Sequence, residues 1–358
     1  MSEAGLEKIR EKLDAIDNQL LELLNDRMDL VHEVGVLKAK SGGAIYRPER
    51  EKAIIDRLEK LNKGKLNRSA IEALFLEIFA ISRNLELPEN IAYLGPEGSF
   101  THQAAEVRFG AMSSYLSIGS IKGVFREVST KKAKYGVVPI ENSSNGIVSD
   151  TISCLTTYNL KIIAEVVLNI HHTLATTCDK VTDIKKIYSK DIAFEQCSRF
   201  LQNFGLDEVE HILVDSTTKA ARLALEEPNS AAICPHVGAK LNNLPILFEN
   251  IEDKDNNKTR FFIISDFENA QSGHDKTSIL VKLPNTPGAL VDFLTDFDKA
   301  GINLTKIKSH IVEGISIFFI DFEGHKDDEN VKNIFEKHKD IRFVCKRSRR
   351  YLVKGFYF

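Results

Sequence analysis

Cysteine, charge of one sign and long apolar runs are all scarce in this 358-residue chain. The five cysteines, Cys154, Cys178, Cys197, Cys234 and Cys345, stand at irregular spacing with no Cys-x-x-Cys pair. That excludes a disulfide scaffold and predicts reduced thiols in a cytoplasmic setting. Lys and Arg number 48 against 51 Asp and Glu, a net charge of -3, so no general attraction for nucleic acid is expected. No apolar run approaches bilayer-spanning length. The charged, helix-patterned start does not read as a secretory leader. His171-His172 looks like a metal pair, but neighbours on a strand point to opposite faces, so no metal or cofactor is expected. The single basic cluster, KRSRRY from Lys346, falls in the predicted last strand, where charges guard a sheet edge.

What is present is ordinary globular material, 43% hydrophobic and 28% charged, long enough for two or three domains. Residues 6 to 86 read as all helix. Leu6, Ile9, Leu13, Ile16, Leu20, Leu23, Arg27, Leu30, Val34 and Leu37 recur at alternating steps of three and four, a coiled-coil seam. SGGAI from Ser41 stops this helix. Pro48 suits the first turn of a second, running to about Asn62. Ser69 and Glu72 form a capping box for a third, where Ile71, Leu74, Ile78, Ile81 and Leu85 repeat the spacing. Three helices cannot cover so long a stripe within one small domain, which implies a homodimer or higher homo-oligomer.

LELPEN, ending at Asn90, is a linker. Short apolar strands then alternate with helices, the pattern of an α/β domain of two lobes. The split falls near His171, and the chain returns to the first lobe after about Asn250. DFENAQSGHD is a second linker. Beyond it the order is strand 277–284, helix 287–299, strands 303–311 and 315–322, helix 327–338 and strand 342–352, a ferredoxin-like βαββαβ. The expected modules are therefore residues 1–88, 89–268 and 275–358.

Two segments carry chemistry-bearing residues. In PIENSSNGIVSDT, from Pro139, a strand opens into Glu141-Asn142-Ser143-Ser144 before a helix. That arrangement suits the mouth of an α/β cleft, and equally a loop with a helix N-cap. In the first helix, Arg27 sits on the apolar seam, where a lone cation is costly and must meet an anion. Lys38, eleven residues on, projects from nearly the same face about 16 Å further along. Arg10, seventeen residues before Arg27, is about 26 Å away. Salt bridges that set coiled-coil register would also account for these charges.

IREKLDAIDNQLLELLNDRMDLVHEVGVLK, from Ile9 to Lys38, with YRPERE from Tyr46, resembles the all-helical chorismate mutase family. The resemblance implies an interlocked dimer with a cationic cage: Arg10 from the partner subunit, Arg27, Lys38 and Arg50, completed by Glu51, Ser82 and Glu86. Its reaction, a Claisen rearrangement of chorismate to prephenate, needs no nucleophile. Holding the compact conformer and stabilising charge on the breaking ether oxygen would suffice. Glu86 stands where the family has Gln or Glu. Only its protonated form donates a hydrogen bond, so mutase turnover is expected to rise toward acid pH, or burial to raise the Glu86 pKa.

IAYLGPEGSFTHQAA from Ile91, the Pro139 segment, SKDIAFEQC from Ser189, DSTTKAARLA from Asp215 and the Thr259-Arg260-Phe261 triplet together resemble prephenate dehydratase. The family fold is two α/β lobes similar to periplasmic binding proteins. Carried over, Thr259 is the proton donor to the leaving hydroxide, in a relay that can include Glu141, with Arg260 and Phe261 setting its position. Ser99, Glu141, Asn142, Ser143, Ser189 and Gln196 line the cleft, with His172 as a weaker candidate. Lys190-Asp191-Ile192 departs from the family pattern. No GxGxxG occurs, which argues against a fused dehydrogenase.

The stretch from Lys276 to His325, which opens KTSILVKLPNTPGALVDFL, looks like an ACT domain. Its helix-start motif is intact at Gly288, Ala289, Leu290 and Val291, where exposed amides suit an amino-acid carboxylate. The second motif reads Lys308-Ser309-His310-Ile311 in place of the family's ESRP, which reverses one charge and weakens one donor. The resemblance implies phenylalanine inhibition across a dimer interface; a purely dimer-forming domain is the alternative. Together the three resemblances imply a bifunctional enzyme of phenylalanine biosynthesis with chorismate, prephenate and phenylalanine as small-molecule partners. A dehydratase with a decayed mutase arm and a non-catalytic aromatic-acid sensor are the other readings.

Overall fold

The computed structural model describes residues 3–41, 48–86, 90–254, 256–268, 271, 275–284, 286–312, 315–338, 341–348 and 351–352. The chain divides into two units: the N-terminal helices with Phe109–Ser114, and the remainder from Asn90 onward.

The first unit is built on α1 (Glu3–Ser41), α2 (Pro48–Leu61) and α3 (Arg68–Glu86). At 1.5 Å per residue α1 is about 58 Å long, far longer than α2 or α3. Its core is correspondingly small: Ile55, Ile71 and Phe79, with Ile54, Leu58 and Phe75 at its edge. Leu13, Ile16, Leu20, Leu23 and Leu30 of the seam stay exposed. The expected capping box does not form. Asn67 caps α3 instead, its Oδ1 accepting from the Ala70 amide at 2.8 Å. Glu72 is taken by Arg68, whose guanidinium also reaches Asp56 and Glu59 and is held firmly charged by them.

The second unit opens with β1 (Asn90–Leu94), α4 (Phe100–Phe109), β2 (Ser114–Ile118), α5 (Ile121–Ser129), β3 (Tyr135–Asn142), β4 (Gly146–Ile147), α6 (Ser149–Thr157) and β5 (Lys161–Asn169). The chain then leaves this sheet to build the second lobe. That lobe comprises β6 (Thr173–Thr176), β7 (Lys186–Ser189), α7 (Asp191–Gln196), α8 (Ser198–Asn203), β8 (Glu210–Leu213), α9 (Thr217–Glu226), β9 (Ser230–Cys234), α10 (His236–Leu241) and β10 (Ile246–Phe248). It returns as β11 (Lys258–Ser265), which slots between β3 and β5. The second lobe has its own sheet, ordered β10-β6-β9-β7-β8. Alanines 220, 221, 224, 232 and 239 line one of its faces and let helices approach closely. Burial pushes the Cys234 thiol on that face up to about 12, and burial in the lobe's other core pushes the Cys197 thiol well up too, which disfavours the reactive thiolate in both.

The C-terminal part adds β12 (Asp275–Lys282), α11 (Ala289–Lys299), β13 (Leu304–Val312), β14 (Ile315–Glu323), α12 (Glu329–Lys337), β15 (Ile341–Ser348) and β16 (Tyr351–Leu352). Its strands run in the order β13-β14-β12-β15, the ferredoxin-like arrangement. One face packs on α11 and α12 through Ile279, Val281, Phe293, Phe297 and Ile320. The other face contributes Leu280 and Phe319 to the first-lobe core around Val138, Ile140, Ile162 and Phe262. The last strand is not the edge expected from its basic run. β15 pairs with β12 on one side and β5 on the other, joining the two sheets.

Two local features shape the cleft side. Pro139 has no N–H for the ladder, and the β3–β11 register shifts there, from Arg260↔Glu141 to Phe261↔Pro139. Gly98, at φ +78, lies where a Cβ would meet Gly238 Cα at 3.1 Å, so only glycine lets the β1–α4 turn meet the second lobe. Thr218 of α9 donates to the Glu97 carbonyl beside it, at 2.6 Å.

Candidate active sites

In the helical unit the seam cation finds a partner on α3. Arg27 Nη1 donates to Ser82 Oγ at 2.5 Å, and Ser82 in turn donates to the Ile78 carbonyl. The Arg27 guanidinium also lies 5.8 Å from the Phe79 ring centroid. Glu51, at the start of α2, pairs with the buried Arg83. Arg50 is exposed in the first turn of α2. Arg10 is exposed and pairs with Glu7, one turn away, at 3.4 Å. Lys38 and Glu86 lie on α1 and α3, but their side chains fall outside the described residues.

In the α/β unit the β3–β11 ladder sets Asn142 opposite Thr259. Asn142 Nδ2 donates to Thr259 Oγ1 at 2.9 Å and to Asn257 Oδ1 at 2.9 Å. Its own Oδ1 accepts from the Ser144 and Asn145 amides, which fixes the amide orientation. Ser143 Oγ accepts from the Lys258 amide at 2.9 Å and pins the same turn. Asn257 is buried, and its Nδ2 has no partner among the described residues. An N–H aimed at the threonine oxygen leaves the threonine proton free to be donated elsewhere, and stabilises the oxygen as that proton departs.

A second cluster lies at the two lobe crossings. His171 and His172 occupy the β5–β6 connection rather than a strand, and they part to different partners. His171 Nδ1 meets Glu252 Oε1 at 2.5 Å, while Glu252 Oε2 accepts the His172 amide. His172 Nε2 pairs with Gln196 Oε1 at 2.9 Å, and Phe100 stands edge-on to the His172 ring. Burial pushes the His172 pKa below its usual value, with the bond to Gln196 opposing. The ring's Nδ1 is buried with no partner among the described residues.

Arg260 and Glu141, expected at the cleft, face away from Thr259, and Phe261 and Ser189 are buried. Thr259 and Arg260 are strand neighbours and alternate in direction. Arg260 lies buried, its guanidinium meeting Glu165 at 2.6 Å and Asp321, with Glu141 at 3.8 Å. Glu141 turns away from Thr259 in the same manner and pairs with Lys306. Phe261 is buried at 1% exposure. Ser189 is wholly buried and donates to the Ile233 carbonyl at 2.7 Å. Ser99 accepts from the His102 amide at 3.3 Å in the first turn of α4. Asn257 was absent from the sequence-based set; its position two residues before Thr259 in β11's approach was the available signal.

In the C-terminal sheet Gly288 adopts φ +87 at the start of α11, with Ala289 and Leu290 half-buried and Val291 exposed. Lys308, Ser309 and His310 lie on β13, the outermost strand in the sheet order.

Known proteins match each part. The chorismate mutase type II family matches residues 9–87, the prephenate dehydratase family residues 91–269 and the ACT domain residues 277–340. The bifunctional chorismate mutase/prephenate dehydratase of Aquifex aeolicus (strain VF5) is 39% identical over 342 residues, 94% of each chain. The chain belongs to the bifunctional chorismate mutase/prephenate dehydratase family. The Escherichia coli (strain K12) relative is 29% identical over 95% of this chain and 94% of its own. Among solved structures, the prephenate dehydratase of Arthrobacter aurescens in complex with L-Phe is similar at TM-score 0.66 and 30% identity, covering 73% of this chain and 90% of that one. The chain is thus a chorismate mutase, an isomerase, and a prephenate dehydratase, a lyase, acting in phenylalanine biosynthesis.

Proposed function

We propose that the enzyme is a cytoplasmic homodimer in which mutase residues come from both subunits. The exposed seam of α1 supports this, as does the distance of about 26 Å between Arg10 and Arg27 along one helix. Arg27, Lys38 and Arg50 of one chain and Arg10 of the other would grip the two carboxylates of chorismate. Ser82 orients Arg27, and Lys38 with Glu86 would hold the ether oxygen as the C–O bond breaks and the new C–C bond forms. The modules run over residues 1–88, 89–268 and 275–358.

For the second reaction Thr259 donates its proton to the departing ring hydroxyl, which leaves as water, and regains one from solvent, the single proton the overall reaction consumes. The ring carboxylate leaves as carbon dioxide, and its bonding electrons complete the aromatic ring. Asn142 holds the Thr259 oxygen. Gln196, Ser99 and Ser143 act as positioning residues around them. The observation that carries this reading is the Asn142–Thr259 hydrogen bond at 2.9 Å. The Gly288 and Lys308-Ser309-His310 motifs would bind phenylalanine as a feedback signal, as the L-Phe complex of the Arthrobacter aurescens relative suggests. Supplying chorismate alone and following prephenate and phenylpyruvate, with and without millimolar phenylalanine, tests all three parts. Failure to form phenylpyruvate from prephenate sinks the dehydratase reading; indifference to phenylalanine sinks the feedback reading.

A further inference from the structure

Three carboxylates and three cations meet on the face of the β3–β11 ladder opposite Thr259. Arg260 contacts Glu165, Asp321 and Glu141. Lys276 reaches Asp321 at 3.3 Å and Glu165 at 3.8 Å, Lys306 pairs with Glu141, and Ser278 donates to Asp321. Asp321, Lys276, Lys306 and Ser278 all belong to the ACT sheet, where Asp321 stands opposite Lys306 on one side and Ser278 on the other. Glu141 and Arg260 are themselves a cross-strand pair, one step along from the Asn142–Thr259 pair. Each member of the catalytic pair therefore has an immediate chain neighbour held by an ACT residue.

We infer that Lys306 and Asp321 are positioning residues for the dehydratase reaction, carrying the state of the ACT domain to Thr259 and Asn142 through Glu141 and Arg260. The inference rests on the dehydratase reading of Thr259. Lys306 shares a strand face with Lys308 and His310 of the altered effector motif, two and four residues on. A ligand that shifts β13 thus shifts the ammonium that holds Glu141. Paired buried charges have few alternative arrangements, since a displaced partner leaves an uncompensated charge. The displacement passes to the next ladder pair about 3.3 Å away. Small misplacements of a proton donor are costly in rate.

The test uses full-length Lys306→Met and Asp321→Asn. Methionine nearly matches the lysine stem in length and volume, so Lys306→Met leaves no large cavity and carries the test alone should Asp321→Asn fail to fold. Without any ligand, hydrogen exchange of the Lys258–Ser265 amides should quicken about tenfold in Lys306→Met, because local opening is set by such contacts. With phenylalanine, measured binding should stay within about threefold of wild type while inhibition weakens at least about tenfold, the signature of lost coupling rather than lost affinity. Lys306→Arg should restore both. Unchanged exchange at β11 overturns the inference, and so does phenylalanine inhibition as strong as wild type in both variants. A wild-type enzyme that ignores phenylalanine overturns the feedback reading instead, and the exchange measurement then decides this inference by itself.

Discussion

Asn142 donates its side-chain amide to the Thr259 hydroxyl from directly across the β3–β11 ladder, at 2.9 Å. An aspartate in that place accepts and cannot donate. Thr259 would then spend its proton on the new carboxylate. Asn142→Asp should lower dehydratase kcat about 10²- to 10³-fold, the usual cost of one misdirected donor, with the mutase reaction of the same chain unaffected. Thr259→Ala should do at least as much, while Thr259→Ser retains a hydroxyl and much of the rate. Steady-state assays of both reactions on one preparation check this.

Protonating His172 opposes folding. Its pKa in the folded chain lies below the usual 6.5, chiefly because it is buried. The folded state therefore binds fewer protons than the unfolded one, and stability rises with pH across that window. The contribution is fully present above about 6.5 and is lost as pH falls below it. Glu252, which raises the pKa, and His171, which lowers it, are the charged neighbours. His172→Gln, which keeps a polar group near Gln196, should lose less stability than wild type between pH 6.5 and 5, read as melting temperature. Parallel curves would show that the ring does not titrate between the two states.

The order of elements was legible because periodicity survives in single segments. The seam of α1, the βαββαβ order after residue 275 and the return to the first lobe come from spacing and short apolar runs. Side-chain direction was less so. Arg260 and Glu141 were expected at the cleft by motif, yet alternation alone says that a strand sending Thr259 one way sends Arg260 the other. Asn257 sits in a polar run that reads as loop, yet it is buried, and its carbonyl accepts from the Ile170 amide, remote in sequence. The ACT side of the ion cluster, Lys306 and Asp321, lies far along the chain and leaves no local trace. The edge assigned to the last strand failed for the same reason: β5, its partner, is remote in sequence.

Arg10 and Arg27 should complement one another between subunits. If each mutase site takes Arg27 from one chain and Arg10 from the other, Arg10→Ala and Arg27→Ala homodimers are both inactive. Unfolded together and refolded at equal amounts, they should recover about a quarter of wild-type mutase activity, because half the dimers are mixed and one of two sites in each is intact. No recovery would place Arg10 in the same chain's site or outside it altogether. Dehydratase activity of the mixture should equal that of either parent.

Phe262 and Phe319 tie the dehydratase sheet to the ACT sheet, their rings 6.1 Å apart and both fully buried. Phe262 also lies 5.2 Å beneath the Arg260 guanidinium. Truncating either ring should cost about 3–5 kcal/mol, as for other buried aromatics. The two losses should not add: once one ring is gone, the other has already lost a face, and the coupling expected for contacting aromatics is about 0.5–1.5 kcal/mol. Urea unfolding of Phe262→Ala, Phe319→Ala and the double variant measures this directly. Strict additivity would mean that the two sheets do not share a core at this point, and would weaken the case that ACT contacts reach the strand bearing Thr259.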